Sequence, residues 1–149
     1  MKIRIEIDEN VTEEEVIIRT ASLGAEVEEI SRALKELSRA RQKFVFCKNE
    51  SDYYLPLESI MFFETEGSSV HAHTRDDMFT VRLRLYELEE RLGRRGFLRV
   101  SHSELVNSRK ITALDLSLTG TIRMTLGDGA AVCYVSRRYV KKIKKALGL

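Results

Sequence analysis

Residues 2–8, KIRIEID, alternate strictly, with Ile3, Ile5 and Ile7 on one face and charged side chains between them. That period of two predicts a strand. Thr12 followed by Glu13, Glu14 and Glu15 has the form of a capping box and predicts a helix start, although Gly24 divides the helical pattern into two pieces. The second piece is the clearer: Val27, Ile30, Leu34 and Leu37 recur at three- and four-residue spacing. A stripe this short does not hold a free coiled coil, so it must dock on the main body or on a second copy. Residues 39–43, RARQK, read as a linker.

Beyond residue 43 the period changes. KFVFCKN, YYLPL, IMFFET, SVHAHT, MFTVRL, FLRV, ITALDL, TIRMTL and AAVCYV are short β-branched or aromatic runs, separated by turn signals such as Gly67-Ser68, Arg75-Asp76-Asp77, Thr119-Gly120 and Gly127-Asp128-Gly129. Regular spacing of this kind predicts antiparallel β structure. Two helical stretches interrupt it: RLYELEERL, with Leu85, Leu88 and Leu92, and the C-terminal run in which Tyr139, Val140, Ile143 and Leu147 alternate with four lysines. The expected fold class is mainly β, with a strand-helix segment over 1–40 and a β domain over 41–149.

Charge sharpens this division. The net charge of +2 conceals −4 over residues 1–40, −3 over 41–93 and +9 over 94–149, where twelve Lys/Arg face only Glu104, Asp115 and Asp128. A basic last third can attract a polyanion while the rest does not. No run of about 18 apolar residues exists to span a membrane, and the N-terminus has no apolar segment of a signal peptide. Cys47 and Cys133 stand alone, which fits a reducing compartment, so a cytoplasmic protein is expected.

Catalytic chemistry finds no support. His71 and His73 lie on one face of a strand but lack further ligands at metal-binding spacing. Ser101 and His102 are neighbours on alternate faces, a poor geometry for a nucleophile and its base. No glycine-rich phosphate loop and no carboxylate pair in a cleft is evident, so neither enzyme activity nor a cofactor is expected. Two other stretches carry more. In YVSRRYVKKIKKAL, Ser136 opens a helix, where its hydroxyl can cap and free backbone N–H groups are presented. Arg137 and Arg138 then oppose the helix dipole in the first turn, and Lys141 follows. A guanidinium fork matches guanine in the major groove, and a helix N-terminus matches phosphate. In FLRVSHSELVNSRKI, apolar residues hold Ser101, His102 and Ser103 at a strand end, framed by Arg99, Arg109 and Lys110. Asn107, an amide within an apolar run, is expected to tie down a backbone rather than touch a ligand.

Four of these motifs, in order, resemble the LytTR DNA-binding domain of bacterial transcription regulators: IMFFETEGSSV, LYELEERL, FLRVSHSELVNSRKI and DGAAVCYVSRRYVKKIKKAL. The resemblance covers about residues 43–147. It implies an elongated fold of about ten antiparallel strands that puts loops, not a recognition helix, into successive major grooves. Carried over by position, it implies DNA contacts from Ser69 and His71, from Arg99 to Ser103, and from Ser136 to Arg138, with His102 or Ser101 on a base. Where family members often carry His-Arg-Ser or His-Asn-Ser this chain has Ser-His-Ser, so the two candidates stand side by side. About 40 residues precede the match, too few for a receiver domain, which implies the stand-alone class, some of whose members answer to a membrane partner protein. The expected function is a sequence-specific double-stranded-DNA-binding transcription regulator, acting as a homodimer through the front segment. The alternative is a protein-interaction module whose front segment docks a regulatory partner, a membrane protein among the candidates, with no membrane insertion of its own.

Overall fold

The computed structural model of the chain describes residues 1–12, 14–41 and 44–149. It divides into two compact units, residues 1–41 and 42–149. In the first unit the described elements reduce to one helix, α1 (Ala25–Arg41), opened by Glu28 N–H donating to Gly24 O at 3.0 Å. Two expectations fail here. Residues 2–8 enter no ladder, because a strand exists only against a partner and the described residues of this unit supply none. No helix starts at Thr12; Glu13 lies outside the described residues, and 14–24 are not helical. Val16, Ile17 and Ile18 are β-branched and exposed, so stiff side chains work against a helix that would bury nothing. Of the expected linker, Arg39–Arg41 belong to α1, while Gln42 and Lys43 lie outside the described residues.

The second unit is the mainly antiparallel β fold that was expected. Its strands are β1 (Phe44–Lys48), β2 (Ser51–Leu55), β3 (Phe62–Glu66), β4 (Ser69–His73), β5 (Met78–Val81), β6 (Phe97–Arg99), β7 (Glu104–Asn107), β8 (Ile111–Asp115), β9 (Ile122–Leu126) and β10 (Ala131–Val135). Helix α2 (Leu85–Leu92) follows β5, and α3 (Arg137–Ala146) follows β10. Seven strands form one sheet in the order β2-β1-β5-β4-β3-β7-β6, and β10-β9-β8 form a second.

Alternation along the strands divides the apolar side chains between two cores. Phe63, Ala72, Phe79 and Leu105 join Leu85, Leu88 and Leu92 of α2 in one. Phe62 and Val106 face the other way, into a core with Ile122, Met124, Leu126, Cys133 and Val135 of the small sheet and Ile143 of α3. Strands β3 and β7 are therefore apolar on both faces, and they fix the two layers against each other. Strand β7 is the element that sequence patterning misses: ELVN is not among the predicted strand runs, yet it pairs with both β3 and β6. Asn107 behaves as expected. Only 3% exposed, it donates from Nδ2 to Ile60 O (2.9 Å) and accepts from Arg109 N–H (3.1 Å), tying the chain that enters β3 to the chain that leaves β7.

Candidate nucleic-acid interface

Three polar connections leave the sheets at one end. The β3–β4 turn passes through Gly67 at φ 61°, a left-handed conformation that glycine adopts without strain, and delivers Ser69. The β6–β7 connection is Val100 to Ser103, and the third is the junction between β10 and α3 at Ser136. Main-chain bonds join them. Thr65 N–H donates to Ser103 O (2.8 Å), and Ser136 N–H donates to Val100 O (2.9 Å). The second loop is thereby tied to the end of β3, which leads into the first, and to the third.

Within the second loop, Arg99 points inward. Its Nε donates to Ser101 O (2.7 Å), its Nη2 to the carbonyl of His102 and its Nη1 to Glu89 Oε2 (2.7 Å), and the side chain is 10% exposed. A planar fork with fixed donors holds a turn in one shape. Glu89 also lies 3.8 Å from Lys142 Nζ, linking α2 to α3. With the turn held, Ser101 Oγ accepts from Ser103 N–H (3.3 Å), while the exposed His102 side chain makes no hydrogen bond among the described residues.

At the third connection the Ser136 hydroxyl makes no capping bond, contrary to expectation, so it and the first N–H groups of α3 remain available to an anion. Arg137 lies across Gly120 in the β8–β9 connection. There φ is 74°, and an added Cβ would come within 2.8 Å of Arg137 Nε. Arg138 and Lys141 are exposed, with no acid paired to them among the described residues.

A sequence profile of the LytTr DNA-binding domain matches residues 50–148. The chain belongs to the LytTr DNA-binding domain family. Full-length relatives agree: two proteins of Staphylococcus aureus named as uncharacterized HTH-type transcriptional regulators, from strains bovine RF122 / ET3-1 and NCTC 8325 / PS 47, are 35% and 34% identical over 149 residues, covering 100% of this chain and 99% of each relative. Among solved structures, a LytTr DNA-binding domain from Bacillus cereus has the same fold, with a TM-score of 0.68 at 21% identity, covering 73% of this chain and 99% of that one. Among the described residues of this LytTr chain, every pair of successive α-helices is separated by strands, so a loop-bearing β scaffold stands where the relatives' name suggests a helix-turn-helix.

Not every residue picked from the sequence reaches the LytTr loop cluster. His71 sits inside β4, opposite Glu64 and Thr80, with a side chain 16% exposed and Nδ1 buried without a partner. Arg109 and Lys110 follow β7, whereas Ser101–Ser103 precede it, so a strand's length separates them from the cluster. Two contributors escaped sequence reasoning altogether: Glu89, whose acid in a leucine-striped helix resembles any solvated residue, and Gly120, which resembles an ordinary turn glycine.

The sheet face behind the loops is tuned by burial. Glu104, opposite Glu64, has its carboxyl held above the usual range by burial first and by Glu64 second. Cys133 is pushed up to about 12, by burial and then by Glu104 and Glu64, and is an unreactive core thiol. His73 completes this face. Its Nε2 lies 2.6 Å from Glu64 Oε1, and its ring stacks on Phe62 at 4.3 Å.

Proposed function

We propose that this chain is a bacterial transcription regulator that reads double-stranded DNA sequence-specifically through the joined loops at Ser69, Ser101–Ser103 and Ser136–Arg138. The observation that carries the reading is the pair of main-chain bonds that lock three polar or basic segments of a LytTr DNA-binding domain to one end of its sheets. Ser136 and the first N–H groups of α3 take a phosphate, Lys141 adds a second phosphate contact, and Arg138 reads a base edge. His102 and Ser101 supply hydrogen bonds at the tip of the second loop. Arg99 shapes that loop from inside and makes no base contact in this reading. Arg109 and Lys110 stand outside the contact set, and His71 supports its strand. The protein acts in the cytoplasm as a homodimer joined through residues 1–41, with a second copy rather than a membrane-protein regulator as the partner of that segment.

Fragments selected from random duplex DNA supply the operator for the test. Arg138→Ala is expected to weaken operator binding by about 1–3 kcal/mol and to relax preference at one base position. Lys141→Ala should weaken operator and random DNA alike and make the salt dependence shallower by about one unit. Operator binding by a folded Arg138→Ala protein at wild-type strength would remove Arg138 from the base-reading set.

A further inference from the structure

The first eight residues have a pattern that nothing in this chain uses. Ile3, Ile5 and Ile7 are 88%, 84% and 92% exposed, and no described residue of 1–41 is buried. The Arg4 guanidinium reaches the Glu6 carboxylate two residues on, which places these alternate side chains on one side of the backbone, as in a strand. The stretch ends at Asp8, whose carboxylate accepts from Asn10 N–H (2.9 Å) to form a turn. Its charged face runs Lys2, Arg4, Glu6, Asp8: two cations, then two anions.

That order is self-complementary about Ile5. We infer that residues 2–8 of two copies pair as antiparallel strands, with Lys2 opposite Asp8, Ile3 opposite Ile7, Arg4 opposite Glu6 and Ile5 opposite Ile5 of the second copy. The inference rests on the homodimer proposed above and names its contact. Competing registers fail on charge or on burial. Parallel pairing in register sets all four charges against their own kind, which destabilises a sheet pair. Sliding by two residues brings either Arg4 against Arg4 or Glu6 against Glu6. Sliding by one sets isoleucines against the charged face of the other copy. The antiparallel register centred on Ile5 alone satisfies all four charges and gathers six isoleucines on one face. It is also isologous, as a two-fold dimer requires. A two-stranded ribbon is marginal alone, so its apolar face needs cover, and the stripe of Val27, Ile30, Leu34 and Leu37 on α1 is of the right chemistry to provide it.

Charge-reversed full-length chains test the pairing by sedimentation at tens of micromolar. Lys2→Asp with Arg4→Glu makes the face wholly acidic, and Glu6→Arg with Asp8→Lys makes it wholly basic. Each double variant alone should dissociate, its dimer constant rising by at least about tenfold from four like-charge oppositions. An equimolar mixture of the two should recover the dimer. Cross-linking then fixes direction: in a Cys47→Ser background, Ile5→Cys should form a disulfide with itself, whereas Ile3→Cys should do so only when mixed with Ile7→Cys. A monomeric wild type would overturn both the dimer and the pairing. A wild-type dimer that persists in both charge-reversed variants would overturn the pairing alone, leaving a dimer made elsewhere. Self-cross-linking of Ile3→Cys would overturn the antiparallel direction.

Discussion

Arg99 shows how a cation in a DNA-binding chain can serve the protein rather than the DNA. Its guanidinium is shared among two loop carbonyls and Glu89, so the shape of the Ser101–Ser103 turn depends on an acid that stands on α2. Removing Glu89 leaves a largely buried guanidinium short of one charge-assisted acceptor and releases Lys142 from its neighbour. We expect Glu89→Ala to lower operator affinity by about tenfold through loss of loop order, a cost of about 1–2 kcal/mol for a hydrogen bond to a charged group. Affinity for random DNA should hold or rise, because the substitution removes a negative charge. Binding curves on operator and random duplexes distinguish the two; parallel losses on both would mean that Glu89 does not order the loop. Asn107 works in the same way without charge, satisfying backbone before β3 and after β7.

At the scale of elements, the sequence disclosed what alternates and concealed what does not. The short β-branched runs and the Leu85, Leu88 and Leu92 helix were legible because burial on one face imposes a period. Strand β7 was not, because Leu105 and Val106 enter different cores and leave no polar face to mark the period. Residues 2–8 show the converse, a strand pattern that joins none of the described ladders. For the site, polar tips on apolar scaffolds were readable, but the bonds joining the three loops run through the main chain and leave no mark in side-chain types. The row His71–Glu64–Glu104 across β4, β3 and β7 gives this level its prediction. The Glu104 carboxyl is held above its ordinary value of 4.5, so the folded chain takes up this proton more readily than the unfolded one. The stability due to this group is therefore complete below pH 4.5 and is lost as pH rises through the folded value. Glu104→Gln should flatten that decline and be more stable than the parent at neutral pH, with the difference vanishing near pH 4.5, as read from urea midpoints across the range. A constant offset at every pH would assign the effect to packing instead of titration.

Over the whole molecule, charge divides as the two compact units do. Residues 1–41 carry a net −3 and residues 42–149 a net +5, and every residue of both cores lies in the second unit. All ten strands of the described residues lie there too, so residues 42–149 hold the scaffold on which the loops stand. A chain of residues 42–149 is therefore expected to unfold in one cooperative transition, with a melting temperature within a few degrees of the full chain's, because it keeps every residue of both cores. On a single half-site it should bind as tightly as the full chain or slightly better, since a net negative segment no longer repels the phosphates. On two correctly spaced half-sites the order should reverse. There the full chain gains from linking two readers, an advantage on the order of a hundredfold or more where the spacing suits, and the shortened chain does not. Thermal melts and titrations of single and paired half-sites measure the three quantities separately. If the shortened chain kept the full paired-site affinity, residues 1–41 would have no part in joining two DNA readers; if it failed to melt cooperatively, the β domain would depend on the segment before it.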